Sequence, residues 1–244
     1  MNILVIGETC VDKFVYCEAK QLSPEAPVPV LTPLKTTENK GMAGNTFNNI
    51  IALSPNSRVK YICQEEHIIK TRYVEEKSNH MFLRVDEGEN KITRFKWDLI
   101  TDVLLGEADI VIVSDYNKGF LHDADLREIA RKSKLSILDS KRNLTNKITQ
   151  DYTFVKLNES ERLNNHYLDK DNIITTLGKK GAEYQGIIYP SPNPQQTIDV
   201  SGAGDTFTAS FILEYFKTKN TKTSIEFANK MSSIVVSKRG VVTP

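Results

Sequence analysis

Apolar positions first gather in a short unbroken run, Ile3 to Ile6, that closes at Gly7. Without polar interruption, such a run predicts a β-strand covered on both faces, over Asn2–Ile6. The same character returns in Ala108–Asp115 (ADIVIVSD), and shorter strands are predicted at Leu135–Leu138, Phe154–Leu157 and Ile173–Thr176. Between these strands, Gly41–Leu53 places Phe47, Ile50 and Ile51 at helical spacing, and Asp123–Lys132 predicts a second helix. Strand alternating with helix implies right-handed crossovers and a mostly parallel sheet, so the core is of the α/β class.

Two segments break that rhythm. Asp12 to Asn39 carries Pro24, Pro27, Pro29 and Pro33, which exclude a helix and permit extended loop and edge strand. Ile68 to Phe95 alternates apolar and charged residues and predicts antiparallel strands with one wet face, turning at Glu87-Gly88. Together these charged insertions predict a small second sheet attached to the core. SPNPQQ at Ser191–Gln196 reads as a loop.

A length of 244 residues fits one large domain, or one domain with a small attachment, and needs no disulfide or metal staple. The formal net charge of +1 excludes the overall electrostatic footprint of a nucleic-acid coat or a polybasic membrane binder. No run approaches the roughly 20 apolar residues of a membrane span. Cys10, Cys17 and Cys63 form an odd set without a CxxC pair, which argues against a disulfide scaffold or a four-thiolate zinc site. Free thiols behind an N-terminus that reads MNILVIGE, without the regions of a signal peptide, lead to the expectation of a cytoplasmic protein. His67, His80, His122 and His166 show no metal spacing and are expected at the surface.

The strongest chemical signal is Ile198–Phe211, IDVSGAGDTFTASF. An extended piece ending at Val200 is followed by Gly202-Ala203-Gly204 and a helix beginning near Asp205. Small residues admit a ligand to the backbone, and a helix N-terminus offers unpaired N–H groups and a positive dipole end. That combination suits a transferring phosphoryl group, with Asp205 placed to take a proton from an attacking hydroxyl. The residues alone leave open the plainer alternative that Asp205 caps the helix and the glycines make a turn.

DVSGAGDTF resembles the C-terminal signature of the ribokinase-like (PfkB) sugar kinases. Gly41-Met42-Ala43-Gly44-Asn45 is similar to their N-terminal glycine-rich signature, with Met42 and Gly44 departing from the commonest letters. Asn158-Glu159-Ser160-Glu161 is similar to their N-x-x-E motif, and Thr176-Leu177-Gly178-Lys179-Lys180-Gly181 to their T-x-G-x-x-G loop. Ser23–Val30 (SPEAPVPV), Phe82–Asp86 (FLRVD), Ser114–Leu121 (SDYNKGFL), Leu138–Arg142 (LDSKR) and Phe227–Gly240 resemble the kinase part of the bacterial heptose 7-phosphate kinase/ADP-heptose synthase proteins. No H-x-G-H motif of a nucleotidylyltransferase half is present.

The resemblance implies a single ribokinase-like three-layer domain over 1–244, with a mostly parallel central sheet and a small β-sheet lid built from segments about 13–40 and 68–96. It implies phosphoryl transfer from ATP, with Mg²⁺, to a sugar phosphate. The implied substrate is D-glycero-D-manno-heptose 7-phosphate at its C1 hydroxyl, for nucleotide-activated heptose and lipopolysaccharide synthesis. Asp205 would be the base, with Gly202, Ala203 and Gly204 donating N–H groups, and Asp199 and Ser201 opening the loop. Asp12 and Asn45 would hold sugar hydroxyls, and Arg84, Asp115, Lys118 and Lys141, with Arg142, would serve the substrate and its phosphate. Asn158, Thr176, Gly178, Gly181 and Asn229 would line the nucleotide site, and Glu161 with Asn158 would organise the metal. A homodimer joined through the lid sheet, and no nucleic-acid or membrane partner, complete the expectation.

The departures are Glu8 and Ser140 in place of the usual Asp and Pro, and a direct passage from Val59–Cys63 to Ile68 where relatives carry another helix and strand. The C-terminus also stops earlier than in relatives. A kinase for another sugar, or a non-catalytic sugar- or nucleotide-binding relative, remain the alternatives.

Overall fold

The computed structural model describes residues 1–169, 171–192, 201–238 and 242–244. Its main sheet contains β1 (Asn2–Gly7), β4 (Arg58–Ile62), β7 (Ile110–Asp115), β8 (Ser136–Ser140), β9 (Phe154–Asn158) and β10 (Ile173–Thr176), all parallel. The hairpin β11 (Ala182–Tyr184) and β12 (Ile187–Tyr189) adds an antiparallel edge, giving the order β12-β11-β10-β9-β8-β7-β1-β4.

The unbroken apolar runs are explained by burial on two sides. Ile3, Val5, Ile110, Ile112 and Ile137 face helices α1 (Ala43–Leu53), α6 (Ala203–Thr218) and α7 (Thr221–Val236). Leu4, Ile6, Val111, Val113 and Leu138 face α2 (Leu99–Glu107), α3 (Asp123–Lys132) and the short α4 (Asn146–Thr149). A seventh helix, α5 (Glu159–Asn164), follows β9 directly. Each fully buried Ile or Phe is worth roughly 1.5–3 kcal/mol, so the three layers hold the strand ends, and whatever they carry, in fixed positions. α6 is the best anchored helix: Phe207, Phe211 and Tyr215 stack along it, and Phe154 meets Phe211 and Tyr215 edge-on.

The second sheet has the order β3-β2-β5-β6, from β2 (Thr9–Leu22), β3 (Pro29–Met42), β5 (Ile69–Glu75) and β6 (Met81–Glu87). It is larger than the expected segments 13–40 and 68–96 at its first boundary. Pro29 and Pro33 lie on β3, which is the outer strand, where a missing N–H is harmless. Within the predicted 68–95 pair, β5 and β6 are antiparallel, but β5 joins β2 in parallel. The reversal between β5 and β6 falls at 76–80 and not at Glu87-Gly88. Gly88, with φ of 82°, instead turns the chain out of the sheet into a 3-10 turn, Glu89–Lys91. Among the described residues no helix is long and apolar enough to cross a membrane. The four histidines are exposed. The extended piece expected to end at Val200, and most of the Ser191–Gln196 loop, lie outside the described residues, as does Asp199.

Candidate active site

α6 begins at the carboxyl edge of the parallel sheet, where α/β proteins bind ligands. Gly202 is its N-cap at φ 80°, a left-handed conformation suited to glycine, and no side chain caps the helix. The N–H groups of Ala203, Gly204 and Asp205 therefore lack intrahelical acceptors, while that of Thr206 reaches Gly202 O at 3.0 Å. Thr206 donates to Asn49 Oδ1 at 2.8 Å and Thr208 to Asp139 Oδ2 at 3.0 Å, pinning the first turns to α1 and β8.

This helix end opens on a cavity of about 550 Å³ lined by Tyr116, Asp139, Lys141, Lys156, Asn158, Glu159, Ser160, Thr176, Gly178, Gly202, Gly204 and Asp205. Asp205 is 6% exposed. Asn45 Nδ2 donates to its Oδ2 at 2.8 Å and the Tyr116 hydroxyl to its Oδ1 at 3.0 Å. Burial, and then the negative charge of Asp139, push the Asp205 carboxyl from 3.8 up to about 6, against the pull of Asn45, Lys156 and Tyr116. Asp139 is also buried, which raises it, but Lys156 at 3.0 Å and Lys141 outweigh that and hold it below the usual carboxylate range. Burial drives the Tyr116 phenol well above its ordinary value. The arrangement is a buried carboxylate beside two ammonium groups and an open helix N-terminus, which can take up negative charge and one proton.

The other expected residues divide. Lys141 reaches the cavity, pairs with Glu161 and lies 5.6 Å above the Tyr116 ring; burial pulls its ammonium down, but Asp139 and Glu161 hold it above its ordinary value. Asn158 and Glu161 form a capping box on α5: Asn158 Oδ1 accepts from Glu161 N–H at 2.8 Å, and Glu161 accepts from Asn158 N–H and Nδ2, each at 2.7 Å. Thr176 and Gly178 line the cavity, whereas Gly181 closes the turn behind them, its N–H on Gly178 O at 3.0 Å. The Asn229 amide is spent on Tyr189 O at 2.9 Å, joining α7 to β12.

Asp12 lies on β2 and is paired with Arg72, whose guanidinium sits 5.1 Å over the Phe14 ring. A side chain at Gly41 would press within 2.0 Å of Asp12 Oδ2, so the glycine there makes room for that carboxylate. Asn45 is joined to Asp205, not turned toward Asp12. Arg84 pairs with Asp86 at 2.7 Å and Lys118 with Glu89 at 2.6 Å, both away from the cavity lining.

Asp115, expected on the substrate side, is held by its neighbours at the end of β7. It is wholly buried and its carboxylate takes Arg142 at 2.6 and 2.9 Å and the Ser140 hydroxyl at 2.6 Å. Arg142 is equally committed, to Asp115, Asp123 and Leu121 O, so this pair ties the ends of β7 and β8 together.

Sequence reasoning passed over Arg72, Tyr116, Asp139 and Lys156, and noted Glu8 only as a departure from the usual Asp. Glu8 is buried and accepts the N–H groups of Tyr116, Lys118 and Phe120 at 2.8, 3.0 and 3.3 Å, so it shapes the loop that presents Tyr116. Burial, then Asp115, raises its carboxyl. Lys156 carried a visible signal: it is a lone charge inside the apolar strand FVKLN.

The profile described as pfkB family carbohydrate kinase matches residues 55–244. Bifunctional protein HldE of Nitratiruptor sp. is 27% identical over 290 residues, covering 99% of this chain and 63% of that protein. Bifunctional protein HldE of Helicobacter pylori (strain ATCC 700392 / 26695) is 30% identical over 300 residues, covering 98% and 64%. The chain thus spans less than two thirds of the length of these relatives, and the alignments are longer than its own 244 residues. Among solved structures, ribokinase from Thermotoga maritima superposes with a TM-score of 0.75 at 17% identity, covering 98% of this chain and 94% of that one. Phosphofructokinase-2 from Escherichia coli gives 0.74 at 14% identity, covering 99% and 94%. At those identities the likeness speaks for the ribokinase-like fold. The family match over most of the chain is decisive for the rest, and this protein belongs to the pfkB family of carbohydrate kinases.

Proposed function

We propose that the chain transfers the γ-phosphoryl group of ATP to the C1 hydroxyl of a sugar phosphate, D-glycero-D-manno-heptose 7-phosphate. The observation that carries the reaction class is the Asp205 carboxylate at the uncapped start of α6, facing a cavity shared with Lys141 and Lys156. The sugar assignment rests on the stretches around Ser23–Val30, Phe82–Asp86 and Ser114–Leu121, supported by the HldE relatives.

In this reading the N–H groups of Ala203, Gly204 and Asp205, with Lys156 and Lys141, receive the charge that spreads over the phosphoryl oxygens. Asp205, oriented by Asn45 and Tyr116, accepts the proton of the attacking hydroxyl. Asp12 holds sugar hydroxyls, Arg84 and Lys118 are the cations for the distal phosphate, and Thr176, Gly178, Gly181 and Asn229 frame the nucleotide side. Asp115 acts by holding β7 in place.

Among the described residues no cluster of three or more His, Cys, Asp or Glu side chains forms a metal cage. Both Glu161 oxygens already accept hydrogen bonds. That donor set fits Mg²⁺ held through its own waters by Asn158 and Glu161, as a cation that keeps several waters allows. Bound there, Mg²⁺ would neutralise phosphate charge.

We further assign the small sheet as a lid over the sugar within a single domain, and as the contact of a cytoplasmic homodimer. Leu83 and Val85, exposed on β6, support the contact. The direct test follows ADP release with Mg-ATP and heptose 7-phosphate, sedoheptulose 7-phosphate, fructose 6-phosphate, ribose or no sugar, with Asp205→Asn alongside. Turnover confined to heptose 7-phosphate and lost in the variant is expected. Turnover with a different sugar moves the substrate, and ATP binding without any turnover refutes the kinase reading.

A further inference from the structure

One face of the small sheet, near Asp12, carries more charge than its fold requires. Arg72 and Arg84 stand directly opposite each other on β5 and β6, a pairing of like charges that costs stability. Beside them Lys70, only 8% exposed, stands opposite Asp86. Its ammonium contacts Asp86 at 3.3 Å and Glu89 at 2.6 Å. Glu89 in turn reaches across to the core, where its other oxygen takes Lys118 Nζ at 2.6 Å. Four cations (Lys70, Arg72, Arg84, Lys118) thus share three carboxylates, Asp12, Asp86 and Glu89.

Glu89 differs from its neighbours in how it is held. Asp12 and Asp86 sit on strands, locked in register, whereas Glu89 heads a three-residue 3-10 turn reached through Gly88. Its carboxylate is partly open to solvent and is clamped only between the two lysines. Burial raises its carboxyl, but Lys118 and Lys70 more than compensate and hold it below its ordinary value.

We propose that Lys70 and Lys118 form the seat for an anionic group on the acceptor, and that Glu89 is a built-in counter-anion which this group displaces. A phosphate monoester carries more charge than a carboxylate and three acceptor oxygens, and it can engage both ammonium groups together with the neighbouring Arg84. Glu89 bridges the two ammonium groups and neutralises their mutual repulsion until the ligand arrives. The seat joins a strand of the small sheet to a core loop, so the anion that fills it draws the sheet onto the core. It thereby distinguishes phosphorylated from unphosphorylated acceptors. This inference rests on the reading of the acceptor as a sugar phosphate.

The test is calorimetric binding to the whole chain of heptose 7-phosphate, unphosphorylated heptose, inorganic phosphate and ATP, for the wild type, Lys70→Met and Glu89→Gln. Lys70→Met is expected to weaken heptose 7-phosphate at least about tenfold and leave heptose and ATP unchanged, while Glu89→Gln, freed of the competing charge, tightens heptose 7-phosphate by about three- to tenfold. Loss of affinity for phosphorylated and unphosphorylated sugar alike in both variants overturns the proposal, because it marks Glu89 as a mere structural tie. If the wild type binds no heptose 7-phosphate, the substrate assignment fails separately, and fructose 6-phosphate and inorganic phosphate then decide the seat. Binding that Lys70→Met abolishes upholds it, and equal binding by wild type and Lys70→Met overturns it.

Discussion

Asp205→Asn should make the protein more stable at neutral and alkaline pH while removing its activity. In the folded chain the carboxyl is raised from 3.8 to about 6, first by burial and then by Asp139. Below about pH 4 the group is protonated in both folded and unfolded chains, and the native state carries no penalty. As the pH rises through about 6 the folded chain must ionise a buried acid. Above that the deficit stays at about 3 kcal/mol, since each tenfold change in acidity corresponds to about 1.4 kcal/mol. The amide removes that charge but keeps only one acceptor oxygen where Asn45 and Tyr116 now donate to two. One lost bond returns about 1–1.5 kcal/mol, leaving a net gain of about 1–2 kcal/mol. For a chain of this size that raises the melting temperature by about 2–8 °C. Thermal melts of both proteins without nucleotide, at about pH 4.5, 6 and 8, should show the gap opening as the pH rises. A variant that melts at or below the wild-type temperature at pH about 8, or a gap independent of pH, would refute the claim that an ionised, strained Asp205 is kept for chemistry.

Other expectations come from the same geometry. The rate of sugar phosphorylation should fall as the pH drops below about 6, and Tyr116→Phe, which removes a donor to ionised Asp205, should move that limb upward; an unmoved limb would show the hydroxyl plays no part. Lys156→Met strands buried Asp139 and should cost about 3–5 kcal/mol in chemical denaturation, with Lys156→Met/Asp139→Asn recovering more than half. Met42 sits at φ 55°, ψ −136°, where a side chain is strained by about 1–3 kcal/mol, so Met42→Gly should be more stable than Met42→Ala, reversing the usual order. Glu8→Gln places an amide N–H against backbone donors and should cost about 1–3 kcal/mol, read from urea midpoints.

The core was legible because its strands are apolar on both faces, a pattern that survives in one sequence: Asp123–Lys132 and Ile173–Thr176 fall where expected. The small sheet was legible as extended chain but not in its register. Glu87-Gly88 has the composition of a hairpin turn, yet the turn is made where the Glu75 carboxylate accepts the N–H groups of Lys77 and Ser78. At the site, the residues named from motifs define where the cavity is. Those that set its electrostatics, Asp139, Lys156 and Tyr116, come from three strand ends that only the sheet order β9-β8-β7 brings together. The surroundings of Asp115 were hidden for the same reason: it stands at a strand end, and its partner Arg142 lies on the next strand's exit. The short helix α2 went unread, although Asp98 accepts from Thr101 N–H as an ordinary N-cap.

Two of the four passages between the small sheet and the core have almost no linker. β1 ends at Gly7 and β2 begins at Thr9, while β3 ends at Met42 and α1 begins at Ala43. The two crossings are stitched to each other, Thr9 opposite Met42 and Ala43 N–H on Glu8 O at 2.9 Å. Three residues into α1, Asn45 grips Asp205. The sheet edge, the first turn of α1 and the Asp205 carboxylate are therefore joined by contiguous bonds, and a tilt of the sheet is expected to re-aim that carboxylate, like a key turning a short shaft. A sheet borrowed from a relative would therefore have to reproduce the Met42–Ala43 joint for Asn45 to keep its hold on the Asp205 carboxylate.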